Sequence, residues 1–386
     1  MAAGGWIPRG SLQPALLAVA LAAGGGAHAA DFGDVVRPWL DQRALAGAVV
    51  LVTDRDGTLL HEAAGQADVA AGRPLARDSL FWIASMTKPI TAAAVMILVD
   101  EGKVRLDEPV ATYLPEFRDT WLTAEKDGGR IVLRRPRRPI TVRDMLSHTS
   151  GLPFMSPVET PTLDTLPLAV AVRCYAQMPL LFEPGSAYGY ANAGINTTGR
   201  IVEVVAGMPY EAFLDARIFQ PLGMSDTTFR PTAAQVARIA TAYRRDDATG
   251  SLVPVSIDQL KYPLDGPGRF PMPGGGLFST AADCGRFCRM LLGMGAVGDV
   301  RILSEAAVRE MRSRQTPAEV KEAYGLGVQI RADGRYGHDG FYATDLAVDD
   351  AGGIATVWLV QDASPSRLSN ACKDAVDQWL AMRPWR

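Results

Sequence analysis

Hydrophobic and polar positions fall into distinct regimes along the chain. Residues 31–45 repeat with helical spacing and predict a short amphipathic helix. Residues 48–53 and 58–64 are β-rich runs on either side of Asp54-Arg55-Asp56-Gly57, which predicts a hairpin. From 85 to 101 the pattern becomes a nearly all-apolar helix (Ile90, Ala93, Val95, Met96, Ile97, Leu98, Val99) stopped by Gly102, and a helix apolar all round is a buried one. Residues 103–320 read mostly as helices broken by Pro- and Gly-rich loops at 136–139, 153–161, 184–185 and 263–276. Near the end, 324–331, 335–348 and 354–361 read as strands with turns at Asp333-Gly334 and 349–353, followed by a helix at about 370–382. Strands thus lie at both ends of the chain and helices between them. The expected fold class is α+β: an antiparallel sheet built from both chain ends and flanked by helices, with an inserted all-helical region. Its α/β part would span about 30–84 and 277–386, and its helical part about 85–276.

Size and composition narrow the function. With 386 residues, 48% hydrophobic and 21% charged, the chain has the balance of a globular protein, and no repeat or low-complexity tract interrupts it. Thirty-nine basic against 42 acidic residues give a formal charge of −3, so no overall basic field exists to hold nucleic acid or an anionic membrane. The four Cys form no C-x-x-C pair, and neither a disulfide scaffold nor a thiolate zinc site frames the fold; all four are expected to be buried thiols. Residues 1–29 combine Arg9, an apolar run from 15 to 23 and Ala27-His28-Ala29, the layout of a signal peptide cut before Ala30. An exported protein, periplasmic or secreted, is expected, and no stretch approaches the roughly 20 apolar residues of an integral membrane segment.

Candidate chemistry emerges by elimination. Four scattered His, no H-E-x-x-H and no clustered carboxylates argue against a metal, and the absence of G-x-S-x-G argues against a serine elbow. What remains is Ser85-Met86-Thr87-Lys88 at the mouth of the apolar helix. Positions i and i+3 share a helical face, so the Lys88 amine can reach the Ser85 hydroxyl and, if burial lowers its pKa, make it a nucleophile.

These residues belong to a wider pattern. Phe81 to Lys88, Ile140 to Leu152 (containing His148-Thr149-Ser150-Gly151), Glu183-Pro184-Gly185 leading to Tyr190-Ala191-Asn192, Pro221 to Met224, Gly274 to Thr280 and Gly337-His338-Asp339-Gly340 occur in this order. Over about 32–380 the chain resembles the serine β-lactamase and penicillin-binding-protein superfamily, in its class C-like branch of esterases, D-aminopeptidases and β-lactamases. The resemblance implies an acyl-enzyme on Ser85, with Lys88 and Tyr190 as proton-transfer groups and the formal base left open between them. Asn192 would bind substrate or the lysine, although it also suits a helix N-cap. An oxyanion hole would come from the N–H groups of Ser85 and of Phe341, which follows Gly340. The superfamily's third motif, K-T-G, here reads His338-Asp339-Gly340. His338 and Gly340 would contact substrate, and the orientation of Asp339 stays open. His in that place favours an ester or small amide over efficient β-lactam hydrolysis, with no cofactor. A true β-lactamase, a D,D-peptidase and a sensor that acylates and stalls are the alternatives. His148 reads as a satisfied buried histidine, and Arg134, Arg135, Arg137 and Arg138 as a solvated loop.

Overall fold

Strands from the two ends of the chain meet in one sheet. They are β1 (Gly47–Thr53), β2 (Thr58–Asp68), β3 (Arg73–Pro74), β4 (Gln329–Ile330), β5 (Tyr336–Asp339), β6 (Asp345–Asp349) and β7 (Ile354–Leu359), in the spatial order β4-β5-β6-β7-β1-β2-β3 with every neighbour antiparallel. The first strand lies beside the last, with Val50 opposite Trp358. The computed structural model describes residues 31–366 and 368–385, so the signal-peptide reading of 1–29 lies outside the described residues.

Five helices position what matters here: α1 (Phe32–Asp41), α2 (Thr87–Asp100), α3 (Asn192–Ala206), α4 (Ala281–Leu292) and α5 (Leu368–Ala381). The apolar run of β1 follows from its place between two of the layers. Val49 and Leu51 face the larger core with Phe287 and Cys288 of α4, while Ala48, Val50 and Val52 pack with Phe32 and Val36 of α1 and Val376 and Trp379 of α5. A strand buried on both faces has no reason to alternate apolar with polar residues. Helix α2 is buried from Thr87 to Leu98, which accounts for its mostly apolar composition and makes buried Lys88 an exception to it. The β1–β2 turn is held by Asp54, whose Oδ1 accepts from the N–H groups of Asp56 and Gly57, each at 2.8 Å.

Three sequence expectations need correction. The run 335–348, read as one strand, is the hairpin β5–β6, folded back where the Gly340 N–H donates to Thr344 O at 2.7 Å. Only one glycine marks that turn, and the apolar Phe341-Tyr342 leave the sheet to pack against Trp82 instead. The strand expected at 324–331 shrinks to β4, because Gly327, at φ +68°, bends the chain over α2. A Cβ there would come within 2.8 Å of Lys88 O, so glycine is required for the approach. The inserted region also contains two hairpins, Leu122–Asp127 with Arg130–Arg134 and Ala242–Arg245 with Leu252–Val255. The first is mostly exposed on both faces and so lacks a period-two apolar pattern; its one signal was the Asp127-Gly128-Gly129 turn.

The arginine cluster is exposed, as a solvated loop requires, and its members are ion-paired at the surface. Arg134 pairs with Glu183 at 2.6 Å, Arg135 with Asp119 at 2.9 Å, and Arg138 donates to both oxygens of buried Asp144 at 2.6 and 2.8 Å. Cys284, Cys288 and Cys372 are buried and Cys174 is half-buried, all as free thiols. Among the described residues no helix is long and apolar enough to cross a membrane.

Candidate active site

The residues that present Ser85 are fixed before the helix begins. Phe81–Trp82 pairs with Phe278–Ser279, and the Ile83 N–H donates to Leu277 O at 3.0 Å. The backbone then takes φ +46° at Ala84, a conformation L residues rarely hold without support, and enters a single 3-10 turn (Ala84–Met86) that runs into α2. Thr87 Oγ1 supplies that support by donating to Ala84 O at 2.7 Å. Ser85 is left half-exposed at the mouth of a buried helix.

One turn on, Lys88 is fully buried, and the three oxygens around its Nζ are Ser85 Oγ at 2.9 Å, Asn192 Oδ1 at 2.9 Å and Gly274 O at 2.6 Å. Burial pushes its pKa well below the ordinary lysine value, opposed only by the negative charge of Asp339. Gly274 can come this close because it lacks a side chain: a Cβ would fall 2.9 Å from Asn192 Oδ1. Its N–H donates to Asn196 Oδ1 at 2.8 Å, and Asn196 Nδ2 donates to Tyr175 Oη at 2.9 Å, whose hydroxyl donates in turn to buried Glu159.

Tyr190 brings its hydroxyl to 2.8 Å from Ser85 Oγ, its ring lies under Lys88 Nζ at 4.6 Å, and burial drives its pKa well above 10. Phe154, 43% exposed, stacks on the Tyr190 ring at 6.2 Å. The N-cap of α3 is Ala191; Asn192 is its first helical residue and turns its side chain to Lys88.

The third motif departs from expectation. His338 is 1% exposed, with Nδ1 2.6 Å from Asp339 O and Nε2 2.9 Å from Tyr324 Oη, and burial pushes its pKa down to about 4, with Asp339 opposing and Lys88 adding to the shift. The imidazole expected to contact substrate is sealed behind these bonds. Gly340 abuts Ile83: a Cβ there would come 2.6 Å from Ile83 O, so the next residue, Phe341, lies beside the segment carrying Ser85, its ring 6.4 Å from Trp82. The Asp339 side chain is 62% exposed and accepts from Gln329 Nε2.

Sequence reasoning therefore selected residues that do converge (Ser85, Lys88, Tyr190, Asn192) and missed three that complete their surroundings. Gly274 was visible as part of Gly274-Gly275-Gly276, a signal of close backbone approach. Asn196 and Tyr324 had no signal, since each acts through a neighbour far away in sequence. Among the described residues no group of three His, Cys, Asp or Glu is gathered to hold a metal ion.

Comparison with known proteins agrees with this architecture. The sequence profile of the Beta-lactamase family matches residues 32–378. Protein Rv1367c of Mycobacterium tuberculosis is 34% identical over 363 residues, 84% of this chain and 88% of its own. Esterase EstB of Burkholderia gladioli is 35% identical over 63% of this chain and 65% of its own. The structure of EstCE1, described as a hydrolase with promiscuous acyltransferase activity, superposes with a TM-score of 0.74 at 28% identity, covering 89% of this chain and 96% of that one. A matched profile over residues 32–378, with this sheet and these helices, makes the protein a member of the beta-lactamase family and a serine hydrolase.

Proposed function

We propose that the protein hydrolyses an uncharged ester or small amide through an acyl-enzyme on Ser85. The observation that carries this reading is the convergence of Lys88 Nζ and Tyr190 Oη on one half-exposed oxygen, Ser85 Oγ. Hydrogen-bond accounting supports Lys88 as the base. A neutral amine has two N–H groups and one lone pair. Asn192 Oδ1 and Gly274 O can only accept, so they take both N–H groups, and the lone pair is left for the Ser85 hydroxyl proton. Burial favours the neutral amine and equally the neutral phenol, which disfavours a Tyr190 phenolate as base.

The steps follow from these positions. Ser85 passes its proton to Lys88 while Oγ attacks the substrate carbonyl, and the resulting oxyanion is received by the backbone N–H groups of Ser85 and Phe341, as the family resemblance implies. Tyr190 gives its hydroxyl proton to the departing alkoxide or amine and regains one from Lys88. Water then attacks the acyl carbonyl, its proton returning by the same groups, and Ser85 is released.

The preference for an uncharged substrate rests on the third motif. In place of a permanent cation the site has a sealed, neutral His338, and the charge that acts on Lys88 is the exposed carboxylate of Asp339. A carboxylate-bearing β-lactam or D-alanyl peptide would meet repulsion there. A panel of p-nitrophenyl esters, nitrocefin and D-alanyl peptides tests the reading. Steady turnover of neutral esters with slower nitrocefin cleavage is expected. Faster D-alanyl release would identify a peptidase, and a stoichiometric burst without turnover would identify a sensor. Residues 1–29 support export, which N-terminal sequencing of the mature chain would check by finding Ala30 first.

A further inference from the structure

Two histidines that the mechanism leaves unused sit on either side of one tyrosine next to the site. His148 Nε2 lies 3.2 Å from Tyr324 Oη, and His338 Nε2 lies 2.9 Å from the same atom. All three side chains are buried. We propose that His148, Tyr324 and His338 form a directional hydrogen-bond relay that holds Tyr190 against Ser85 and couples it to the strand end carrying Gly340 and Phe341. The proposal rests on the assignment of Tyr190 to proton transfer.

The direction of the relay follows from its two ends. At one end the Ala191 N–H can only donate, and it donates to His148 Nδ1 at 3.2 Å, so the proton of a neutral His148 is on Nε2 and points at Tyr324. At the other end the Asp339 carbonyl can only accept, and it lies 2.6 Å from His338 Nδ1, so the proton of His338 is on Nδ1 and its Nε2 is bare. Tyr324 then accepts from His148 and donates to His338, which uses its single hydrogen. Every bond is satisfied only if both rings are neutral and carry opposite tautomers. The charged groups acting on the pair are Lys88 of α2, which disfavours protonation of both rings, and Asp339 and Arg331 at the ends of β5 and β4, which act on His338 in opposite senses.

The mechanical consequence lies at His148. Its carbonyl accepts the Gly189 N–H at 2.9 Å while its ring accepts the Ala191 N–H, so it grips the backbone on both sides of Tyr190, and its ring packs 4.5 Å from the Tyr190 ring. It does so at φ +60°, a conformation rare outside glycine and asparagine. Tyr324 connects this grip to β5, whose next residues are Gly340 and Phe341. His148, Tyr324 and His338 are positioning residues, since none of them touches Ser85.

The test is direct. Nitrogen-15 NMR of the imidazoles in the full chain at pH 7 should show His148 protonated on Nε2 and His338 on Nδ1, both neutral. Equal tautomers, or an imidazolium at either place, would overturn the relay. Tyr324→Phe removes the hydroxyl that makes both of the relay's central hydrogen bonds and should lower kcat on a neutral ester about tenfold, with KM within twofold. His148→Asn keeps an acceptor for Ala191 and tolerates φ +60°; it should lose no more than Tyr324→Phe, whereas His148→Ala should lose more. Unchanged kcat in Tyr324→Phe, with the native protein still labelled on Ser85 by a fluorophosphonate, would refute the relay and leave the site assignment standing. Absence of Ser85 labelling in the native protein would instead refute the site assignment.

Discussion

Two clusters of buried polar groups lie side by side in this protein, and they differ in where their hydrogen bonds end. In Ser85, Lys88, Tyr190 and Asn192 the bonds run outward to one half-exposed oxygen. In His148, Tyr324 and His338 they run from one backbone N–H to one backbone carbonyl and close on themselves. Both clusters hold groups whose pKa values burial displaces strongly, Lys88 and Tyr190 in one and His148 and His338 in the other. A displaced pKa therefore does not mark the reacting group. The cluster that leaves a valence open toward solvent can do chemistry, and the one that uses every valence internally can only hold a shape.

The largest effect expected from breaking this contrast is at the open end. Ser85→Ala should remove ester hydrolysis by several orders of magnitude while circular dichroism stays native, because Ser85 is half-exposed and outside the hydrophobic core. Next come the groups that face it. Lys88→Ala and Tyr190→Phe should each lower kcat by roughly 10²- to 10⁴-fold, the double mutant being little worse than the worse single, since both serve one proton path. Multiplicative losses in the double mutant would show two independent roles. In the native enzyme kcat/KM should fall as pH drops through the depressed pKa of Lys88, because the base is then protonated.

The closed cluster should be seen in stability. His338 has a folded pKa lowered to about 4 and His148 one well below 6.5, so below pH 6.5 the unfolded chain binds protons that the folded chain refuses. Stability contributed by the neutral rings is complete above about pH 6.5 and is lost as pH falls toward 4. Melting temperatures across that window should fall more steeply for the native protein than for His338→Gln, and parallel curves would contradict it. The smallest effect is at the rim. Asp339→Asn should raise the kcat/KM ratio of a carboxylate ester to a neutral ester severalfold at low salt and less at high salt.

The same distinction explains what could be read from the chain. The mostly apolar α2 and the continuous run of β1 announced themselves because burial on every side favours apolar residues throughout. Ser85, Lys88, Tyr190 and Asn192 were legible through short local motifs, three residues apart or two. The β5–β6 turn was not, since Phe341 and Tyr342 are apolar for a contact with Trp82, 259 and 260 residues earlier in the sequence. His338 was read as a substrate contact because its motif position is informative and its partner Tyr324 is not: nothing in the intervening residues says that the tyrosine hydroxyl turns back to it. The buried Asp164–Arg269 pair at 2.7 Å is another contact between residues distant in sequence.

Mass spectrometry of the intact protein, quenched in acid during turnover of a slowly deacylating p-nitrophenyl ester, tests the acyl-enzyme most directly. One acyl group per chain is expected, mapped by peptide digestion to the segment containing Ser85 and absent in Ser85→Ala. An acyl group on another residue, or undiminished labelling of Ser85→Ala, would contradict the assignment of Ser85 as the nucleophile.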